Sequence, residues 1–225
     1  MLKSIIMPGS ETLRNEDGSL WIEEELRRRF LAEAKVIDAE KGYISVPSVN
    51  QRIDLEMQGW VADLIANHIK QHGLTFDVAI GIPNSGIPLA TSVAERLKIP
   101  LAPGRKGNNV PSSWHRTTVI EGGAESFTTG VASTFVFNGV EADDRVLAVE
   151  DVIAKGNTMN LIGESLQRNG NSVFVASYFA KLFQGGVERL RNLGINSFYT
   201  IGIEELYQEG EIWKPRLTPS YFSME

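Results

Sequence analysis

RVLAVEDVIAKGNT, residues 145–158, is the stretch of sequence that decides the fold. Its four apolar residues at 146–149 are typical of a strand that is buried on both faces of a parallel sheet. Two adjacent carboxylates, Glu150 and Asp151, follow this run, and a short turn at 154–158 precedes a predicted helix. Because open α/β sheets bind their ligands at the carboxyl ends of the strands, we predict a ligand site here.

The residue types in this stretch suit a phosphorylated sugar. Carboxylates accept hydrogen bonds from vicinal hydroxyl groups, and a small-residue turn at the start of a helix offers backbone N–H groups to a phosphate. An acidic strand end followed by an ordinary turn is the simpler alternative. The complete pattern is far more restrictive than an acidic strand end alone, so the stretch predicts a sugar-phosphate site.

Strands and helices alternate along most of the chain. Strands are predicted at 78–80, 99–102, 131–137, 146–149, 172–178 and 197–203, and helices at 20–34, 53–72, 88–97, 187–193 and up to residue 168. This alternation predicts an α/β fold with a mostly parallel central sheet flanked by helices. We expect 20–34 to be a solvated surface helix and 107–130 to be a long functional loop. The tail at 208–225 shows no clear pattern.

Composition and charge exclude several classes of protein. The chain has 225 residues, a net charge of −6 and no cysteine. The lack of cysteine excludes disulfides and thiolate metal sites or nucleophiles, and the acidic balance argues against a nucleic-acid partner. No apolar run reaches about 18 residues, so we expect no membrane span. Residues 1–10 lack the apolar core of a signal peptide, which predicts a cytoplasmic location.

Two further sets of residues are expected at the same sheet edge. Asn84, Ser85 and Gly86 form a turn between a predicted strand and a predicted helix, where backbone N–H groups can bind an anion. Arg105 and Lys106 end the next strand, where two cations can neutralise phosphate groups. A plain turn and a solvated basic pair are the alternatives for these residues.

The motif at 150–158 resembles the phosphoribosyl pyrophosphate (PRPP) motif of type I phosphoribosyltransferases, in which two acidic residues, two apolar residues and Ala-x-Gly-x-Thr follow a buried strand. The order of strands, turns, basic pair, long loop and motif is also similar to that family. The resemblance implies that Glu150 and Asp151 hold the ribose 2′- and 3′-hydroxyls. It also implies a 5′-phosphate cradle and a pyrophosphate site, formed respectively by Ala154, Lys155, Gly156, Asn157 and Thr158 and by Asn84, Ser85, Gly86, Arg105 and Lys106.

Three residues outside the motif resemble the base pocket of the xanthine branch of this family. Asn50 matches a base-contacting Asn, Tyr43 an apolar residue that packs on the purine, and Lys181 a Lys that faces an exocyclic oxygen. An ammonium group favours an oxo edge over the amino group of adenine, although an exposed strand end is the alternative for Lys181. Ala154 stands where hypoxanthine-guanine enzymes carry an Asp that serves the purine N7. This difference favours the xanthine or adenine branch.

The resemblance implies a purine phosphoribosyltransferase that transfers the 5-phosphoribosyl group of PRPP to an oxopurine, xanthine or guanine favoured, and releases pyrophosphate. Mg²⁺ acting through PRPP is the implied cofactor, and a homodimer is the implied assembly. We expect one domain over 1–225, with an extension at 1–40 and a hood built from 41–55 and 180–225. Two alternatives stay open: an adenine phosphoribosyltransferase, and a PRPP-sensing or nucleotide-binding regulator without turnover. Pro83 and Lys155, which depart from the usual pattern, suggest the second.

Overall fold

A sheet of mostly parallel strands with helices on both faces forms the body of the protein. The computed structural model describes residues 21–107, 117–120, 134–218 and 221–223. The helices are α1 (Trp21–Glu33), α2 (Pro47–Asn50), α3 (Leu55–Gln71), α4 (Gly86–Leu97), α5 (Asn157–Arg168) and α6 (Gly186–Asn192), and a 3-10 turn spans Leu182–Gln184. The strands are β1 (Lys35–Asp38), β2 (Tyr43–Ser45), β3 (Val78–Gly81), β4 (Leu101–Pro103), β5 (Arg105–Lys106), β6 (Thr117–Ile120), β7 (Phe135–Asn138), β8 (Arg145–Ile153), β9 (Ser172–Lys181), β10 (Asn196–Glu209), β11 (Ile212–Thr218) and β12 (Tyr221–Ser223).

The order of the strands confirms the predicted α/β class. The central sheet runs β11-β10-β9-β8-β3-β4, and β12 pairs with β10 as well. Strands β10, β9, β8, β3 and β4 are parallel, whereas β11 and β12 run antiparallel to β10. The chain proceeds from β3 outward to β4 and, in the other direction, from β8 to β9 and β10. The strand order therefore reverses between β3 and β8, which is where open α/β sheets form a ligand crevice.

Strand β8 is apolar at successive positions because both of its faces are covered. Successive side chains of a strand point to opposite faces of the sheet. Leu147 and Val149 join the core formed with α1, α3 and α4, whereas Val146 and Ala148 join the core formed with α5 and α6. The same alternation sends the two residues that follow, Glu150 and Asp151, toward different faces.

The first long helix, α3, begins and packs as the sequence predicts. The carboxylate of Asp54 caps its N-terminus by accepting hydrogen bonds from the backbone N–H groups of Glu56 and Met57, at 2.9 and 3.2 Å. Such a cap satisfies donors that have no partner within the helix. The apolar face of α3 is buried in the core at Met57, Val61, Ile65 and Ile69.

Helix α1 is less solvated than expected. Its charged face carries ion pairs from Glu25 to Arg28 and Arg29, with N···O distances of 2.6 and 2.9 Å. Its opposite face buries Ile22, Leu26 and Phe30 in the core. The Phe30 ring contacts Phe179 of β9 edge-on, with the centroids 5.2 Å apart. The expectation of a solvated surface helix is therefore wrong for this face, because the apolar stripe packs on the sheet.

The structure also contains strands at positions where the sequence shows no clear pattern. Strand β1 is one of them; it pairs antiparallel with β2 as a hairpin and contacts β11. The tail without a clear pattern supplies β11 and β12 to the sheet edge. Of the expected loop at 107–130, residues 108–116 and 121–130 lie outside the described residues, and 117–120 form β6, which pairs with β7. The division into extension, domain and hood stays a prediction.

None of the helices in the described part of the chain combines the length and the apolar character that crossing a bilayer requires.

His68 of α3 links the stability of the fold to pH. Its ring stacks on Phe198 of β10 and on His72, with the centroids 4.3 and 4.1 Å apart. Burial and, secondly, the nearby His72 lower the pKa of His68 from 6.5 to about 4. Between these two pH values the unfolded chain binds a proton at His68 that the folded chain does not. The fold therefore loses stability as the pH falls from 6.5 toward 4.

We expect His68→Phe, which keeps an aromatic ring but cannot be protonated, to remove this part of the acid sensitivity. Urea unfolding at about pH 7 and about pH 5 should show a smaller drop in the free energy of unfolding for the variant than for the wild type. His72→Phe is the comparison variant: because burial is the larger cause of the lowered pKa of His68, this variant should keep most of the drop. Asp77, whose pKa is held low by Arg145, affects stability only below its ordinary value of 3.8. An equal drop in His68→Phe and wild type would contradict the prediction.

Candidate active site

A cavity of about 710 Å³ opens at the carboxyl ends of β3 and β8, at the point where the strand order reverses. The predicted site residues that line it are Tyr43, Asn50, Asn84, Ser85, Lys106, Glu150, Asp151, Ala154, Lys155, Gly156, Asn157, Thr158 and Lys181. Gly86 and Arg105 are the two predicted residues that do not line it. The structure therefore brings the predicted ribose, phosphate and base residues to one cavity, although they come from distant parts of the chain.

The two carboxylates lie within β8 rather than after it. The strand continues to Ile153, and Glu150 pairs in register with Ser177 of β9. The predicted strand is shorter, because it ends at the last residue of the apolar run. The backbone N–H of Asp151 donates to Glu150 Oε1 at 3.0 Å, and Asn50 Nδ2 donates to Asp151 Oδ2 at 3.3 Å. The acidic pair is thus held by the sheet ladder and by a contact from the end of α2.

The electrostatic environment of Glu150 is strongly unfavourable for charge. Its pKa is raised well above the usual value, first because withdrawal from water disfavours the carboxylate and second because the Asp151 carboxylate is adjacent. Lys106 acts in the opposite direction and lowers the pKa of Glu150. A carboxylate that is costly to ionise, as Glu150 is, is typical of a site whose ligand supplies hydrogen-bond donors or positive charge.

The turn after β8 has the geometry of an anion cradle. Gly156 has a φ of +78° and stands at the N-cap of α5, whose first turn receives no hydrogen bond from a capping side chain. The backbone N–H groups at this helix start are therefore not satisfied by a cap. The carbonyl oxygens of Ala154 and Lys155 accept hydrogen bonds from Gly186 N, at 3.1 Å, and from Arg189 Nη1, at 3.2 Å.

A second turn lies across the cavity, between β3 and α4. Ile82 N–H donates to Val149 O of β8 at 3.0 Å, and the peptide bond between Pro83 and Asn84 is cis. Helix α4 begins at Gly86, again without a capping side chain. A Cβ at Gly86 would lie 2.6 Å from Val149 O and 3.0 Å from the Cα of Glu150. Gly86 therefore lets the start of α4 pack directly against the acidic end of β8.

The basic pair on β5 divides between the cavity and its surroundings. Lys106 lines the cavity and acts electrostatically on Glu150, whereas Arg105 lies outside the lining. The two are neighbours in a strand, so their side chains point in opposite directions. Of the predicted pair, Lys106 is the residue that the structure brings to the site.

Lys181 is the most buried charged residue of the cavity wall. Its side chain is 4% exposed, and its Nζ donates to the carbonyl of Gly42 at 2.8 Å. Burial lowers the pKa of Lys181 to about 8, and the opposing attraction of Asp151 is smaller. The alternative of an exposed strand end is therefore wrong. Lys181 lies with Tyr43 and Asn50 at the end of the cavity formed by β2 and β9.

Three residues near the site could not be found from the sequence. Lys41 lines the cavity. Gln184 holds Lys41 there, because its Nε2 donates to the backbone carbonyl of Lys41 at 2.9 Å. Arg189 of α6 contacts the turn at Lys155 and Asn157. Each belongs to a segment without a recognisable motif, and only the folded chain brings it close to residues 150–158.

Comparisons with known proteins agree with this geometry. A family model described as phosphoribosyl transferase domain matches residues 55–182. Adenine phosphoribosyltransferase of Mannheimia succiniciproducens is 30% identical over 144 residues, 63% of this chain and 76% of the relative. Xanthine phosphoribosyltransferase of Streptococcus uberis is 28% identical over 174 residues, 76% of this chain and 86% of the relative.

A solved structure supports the fold. The crystal structure of adenine phosphoribosyl transferase from Trypanosoma brucei in complex with AMP, pyrophosphate and ribose-5-phosphate matches with a TM-score of 0.64 and 18% identity, covering 79% of this chain and 78% of that one. At this level of identity the match bears on the fold alone. Because the family model covers more than half of the sequence, and the PRPP motif lies within it, the chain belongs to the phosphoribosyl transferase family.

Proposed function

We propose that this chain transfers the 5-phosphoribosyl group of PRPP to an oxopurine base, xanthine or guanine favoured, and releases pyrophosphate. The broader class, a PRPP-dependent purine phosphoribosyltransferase and hence a glycosyltransferase, is indicated by the family match and by the xanthine and adenine relatives. The choice of base is our proposal. One observation carries the whole proposal: the acidic pair Glu150 and Asp151 and the glycine turn share a single cavity with the buried Lys181.

The proposed position of PRPP follows from the three sets of groups around the cavity. Glu150 and Asp151 accept hydrogen bonds from the ribose 2′- and 3′-hydroxyls. The backbone N–H groups of the turn bind the 5′-phosphate, with Ala154, Lys155, Gly156, Asn157 and Thr158 as the cradle. The pyrophosphate lies against Asn84 and Ser85 at the start of α4, with Lys106 as its further partner; Gly86 and Arg105 do not line the cavity and are left out of this site. Both phosphate sites then face helix N-termini that lack capping side chains.

The protein contributes positioning and electrostatics to the reaction. The bond between the anomeric carbon and pyrophosphate breaks with its electron pair leaving on pyrophosphate, a purine nitrogen forms the new bond to that carbon, and the purine releases its proton to water. Positive charge develops on the ribose in this oxocarbenium-like transition state, next to the carboxylates of Glu150 and Asp151. Negative groups placed in advance where positive charge develops lower the barrier, so no covalent enzyme intermediate is needed.

The donor set is compatible with Mg²⁺ brought in by the substrate. Glu150 and Asp151 supply carboxylate oxygens, which Mg²⁺ prefers as ligands. Within the described residues no group of three or more His, Cys, Asp or Glu side chains could hold a metal ion. We therefore propose that oxygens of PRPP provide most of the ligands. When bound, Mg²⁺ neutralises charge on the pyrophosphate leaving group.

The preference for an oxopurine rests on the lysine at the base end of the cavity. An ammonium group donates hydrogen bonds and accepts none, so Lys181 favours an exocyclic oxygen over an amino group. Lys181 lines the cavity wall, and its Nζ donates a hydrogen bond to the Gly42 carbonyl. Asn50, whose amide can donate or accept, adapts to either edge. Ala154 provides no carboxylate for the purine N7, and xanthine, which loses a proton readily, needs it least.

Two alternatives are favoured by specific observations. Adenine as the substrate is favoured by the Mannheimia succiniciproducens relative, which is an adenine phosphoribosyltransferase. A regulator that binds PRPP without turnover is favoured by Pro83 and Lys155, which line the cavity and depart from the usual pattern. The main proposal also includes the location and the assembly of the protein. We propose a cytoplasmic homodimer without a nucleic-acid partner. We also propose that the chain divides into an extension at 1–40, one domain and a hood.

The specificity constants of the four bases with PRPP test the proposal. We expect xanthine or guanine to be the best substrate, hypoxanthine next and adenine last. Lys181→Ala should flatten this order, because the oxopurines lose about 1.5–3 kcal/mol of transition-state stabilisation, the range of a hydrogen bond to a charged group, and their specificity constants fall accordingly. Adenine as the best wild-type substrate would refute the base assignment, and PRPP binding without turnover of any base would favour the regulator.

Gln184→Ala is the matched control for this experiment. Lys181 and Gln184 both hold the β1–β2 hairpin, through the carbonyls of Gly42 and Lys41 respectively. Only Lys181 is expected to contact the base. If loosening of the hairpin caused the effect, Gln184→Ala would also change the order of the four bases. We expect it to reduce all four constants by a similar factor.

A further inference from the structure

We propose that Arg189 of α6 is a positioning residue for the 5′-phosphate, because it holds the turn at 154–157 with its N–H groups directed into the cavity. The inference rests on the proposed function. Arg189 lies in α6, which follows the motif after α5, β9 and the 3-10 turn. It belongs to none of the predicted sites. A single nitrogen, Nη1, lies 3.2 Å from the carbonyl oxygen of Lys155 and 3.0 Å from Asn157 Oδ1.

Helix α6 contacts the turn at two successive carbonyls. Gly186 N–H donates to the carbonyl of Ala154 at 3.1 Å, and Arg189 donates to the next one, that of Lys155. A Cβ at Gly186 would lie against the Ala154 carbonyl and 2.8 Å from Gly156 N. The absence of a side chain at Gly186 thus lets α6 approach closely enough for Arg189 to reach the turn.

The direction of the carbonyls determines the direction of the donors. In a planar trans peptide the C=O and the following N–H point in opposite directions. When α6 holds the carbonyls of Ala154 and Lys155, the N–H groups of Lys155 and Gly156 point away from α6. Both residues line the cavity, so in this proposal their N–H groups face an anion bound there. Without this restraint, either peptide could rotate and present a carbonyl oxygen, which repels phosphate.

The contact with Asn157 has a second consequence. Because Arg189 donates to Asn157 Oδ1, the amide of Asn157 is oriented with its Nδ2 group as the remaining donor. Asn157 is the first residue of α5 and lines the cavity. Arg189 therefore fixes two kinds of donor at once, the backbone N–H groups of the turn and the side-chain amide at the helix start.

Calorimetric titration with ribose 5-phosphate, and with pyrophosphate as a control ligand, tests the proposal. We expect Arg189→Ala to raise the Kd of ribose 5-phosphate about 5- to 10-fold, since the lost hydrogen bonds come from a charged but exposed group. The Kd of pyrophosphate should stay within about twofold, because that ligand lies across the cavity. In turnover, KM for PRPP should rise while kcat changes little. Arg189→Lys, which cannot reach both acceptors in the same geometry, should lie between wild type and Ala.

Two controls separate positioning from charge and from loss of structure. Arg191→Ala removes a cation from the same helix, where it pairs with Glu188 at 2.8 Å, and should leave both dissociation constants unchanged. Amide hydrogen exchange without ligand should be faster at Gly186 and Asn160, whose N–H groups donate to the carbonyls of Ala154 and Gly156, in Arg189→Ala than in wild type or Arg191→Ala.

An unchanged Kd for ribose 5-phosphate, or an equal rise for pyrophosphate, would overturn the proposal. If the wild type binds neither ribose 5-phosphate nor PRPP, the proposed function fails, and the exchange rates still decide whether Arg189 holds the turn. Unchanged exchange in Arg189→Ala would then overturn the positioning role as well.

Discussion

Replacing Glu150 and Asp151 together by Gln and Asn is expected to abolish measurable PRPP binding while the protein stays folded. Each carboxylate offers only acceptors to the ribose hydroxyls, whereas each amide replaces one acceptor by a donor group. A hydrogen bond to a charged group contributes about 1.5–3 kcal/mol, so losing one at each residue should weaken binding at least about 100-fold. Titration calorimetry with PRPP and Mg²⁺ measures the effect directly.

The same double variant should be as stable as the wild type or more stable. Burial and the neighbouring Asp151 raise the pKa of Glu150, so at neutral pH the charged form of Glu150 opposes folding. The amides remove this cost and keep the shape of the side chains. The Asn50 contact survives as well, because an Asn at position 151 still has an oxygen that accepts from Asn50 Nδ2. Thermal unfolding at neutral pH should therefore show a Tm equal to or above that of the wild type.

Glu204→Gln with Glu205→Gln provides the matched control for charge. These two neighbours on β10 are exposed and do not line the cavity. Replacing both carboxylates by amides changes the net charge by the same amount as the Glu150 and Asp151 variant does. We expect this control to bind PRPP like the wild type. A PRPP dissociation constant that is unchanged in the Glu150 and Asp151 variant would remove the central claim about the ribose site.

The centre of the fold was predictable because its sequence pattern is local. Residues 146–149 are apolar at every position, which only a strand with both faces covered requires, and the two cores on either side of β8 are that cover. Strand β8 and the glycine turn follow one another directly along the chain. Their position at the switch point follows from the strand order β9-β8-β3-β4. Alternating strands and helices favour such an order, because strands that follow one another in the chain tend to be neighbours in the sheet.

The parts that could not be predicted depend on contacts between distant segments. The tail forms two antiparallel strands, and Pro215 within β11 is tolerated because β11 is the edge strand of the sheet order. Helix α1 looked like a surface helix because its charged residues dominate its composition. What buries Phe30 is Phe179, about 150 residues away, and no local pattern contains that information.

The candidate site shows the same division. The motif residues could be predicted from their own neighbours, because strand, turn and helix are consecutive. The burial of Lys181 depends on the β1–β2 hairpin, whose Gly42 carbonyl it contacts, and an isolated strand end gives no sign of that. Arg189 carries no sequence signal at all, because its importance comes from the approach of α6 to the turn. Roles of individual residues in PRPP and base binding stay predictions for the variants described here.

Gly156→Val is expected to weaken binding of the 5′-phosphate strongly and to leave binding of the free base nearly unchanged. Two costs coincide at this position. The φ of +78° is a left-handed conformation that a β-branched residue rarely adopts, and a Cβ would lie 3.0 Å from Gly186 Cα and 3.1 Å from Gly186 O. Both neighbouring atoms are backbone of α6, so they cannot move aside as a flexible side chain would.

The turn is therefore expected to move rather than the helix, and the N–H groups of Lys155 and Gly156 lose their common direction. PRPP and the nucleoside monophosphate product share the 5′-phosphate, so both should bind more weakly. One strained residue costs about 1–3 kcal/mol, and a turn that relaxes to avoid this strain should lose affinity by at least about tenfold. The base is proposed to contact Lys181 and Asn50 rather than the turn, so its dissociation constant should stay within about twofold.

Gly194→Val separates the backbone cost from the crowding against α6. Gly194 also has a left-handed φ, +67°, but a Cβ there would meet no atom within 4 Å, and the residue does not line the cavity. We expect Gly194→Val to lower the Tm without changing the dissociation constants of PRPP or the monophosphate. A β-branched side chain at position 156 would press against Gly186, so the turn at 154–158 could not keep its N–H donors in place. If Gly156→Val nevertheless bound the monophosphate as tightly as Gly194→Val does, the 5′-phosphate would have to lie elsewhere.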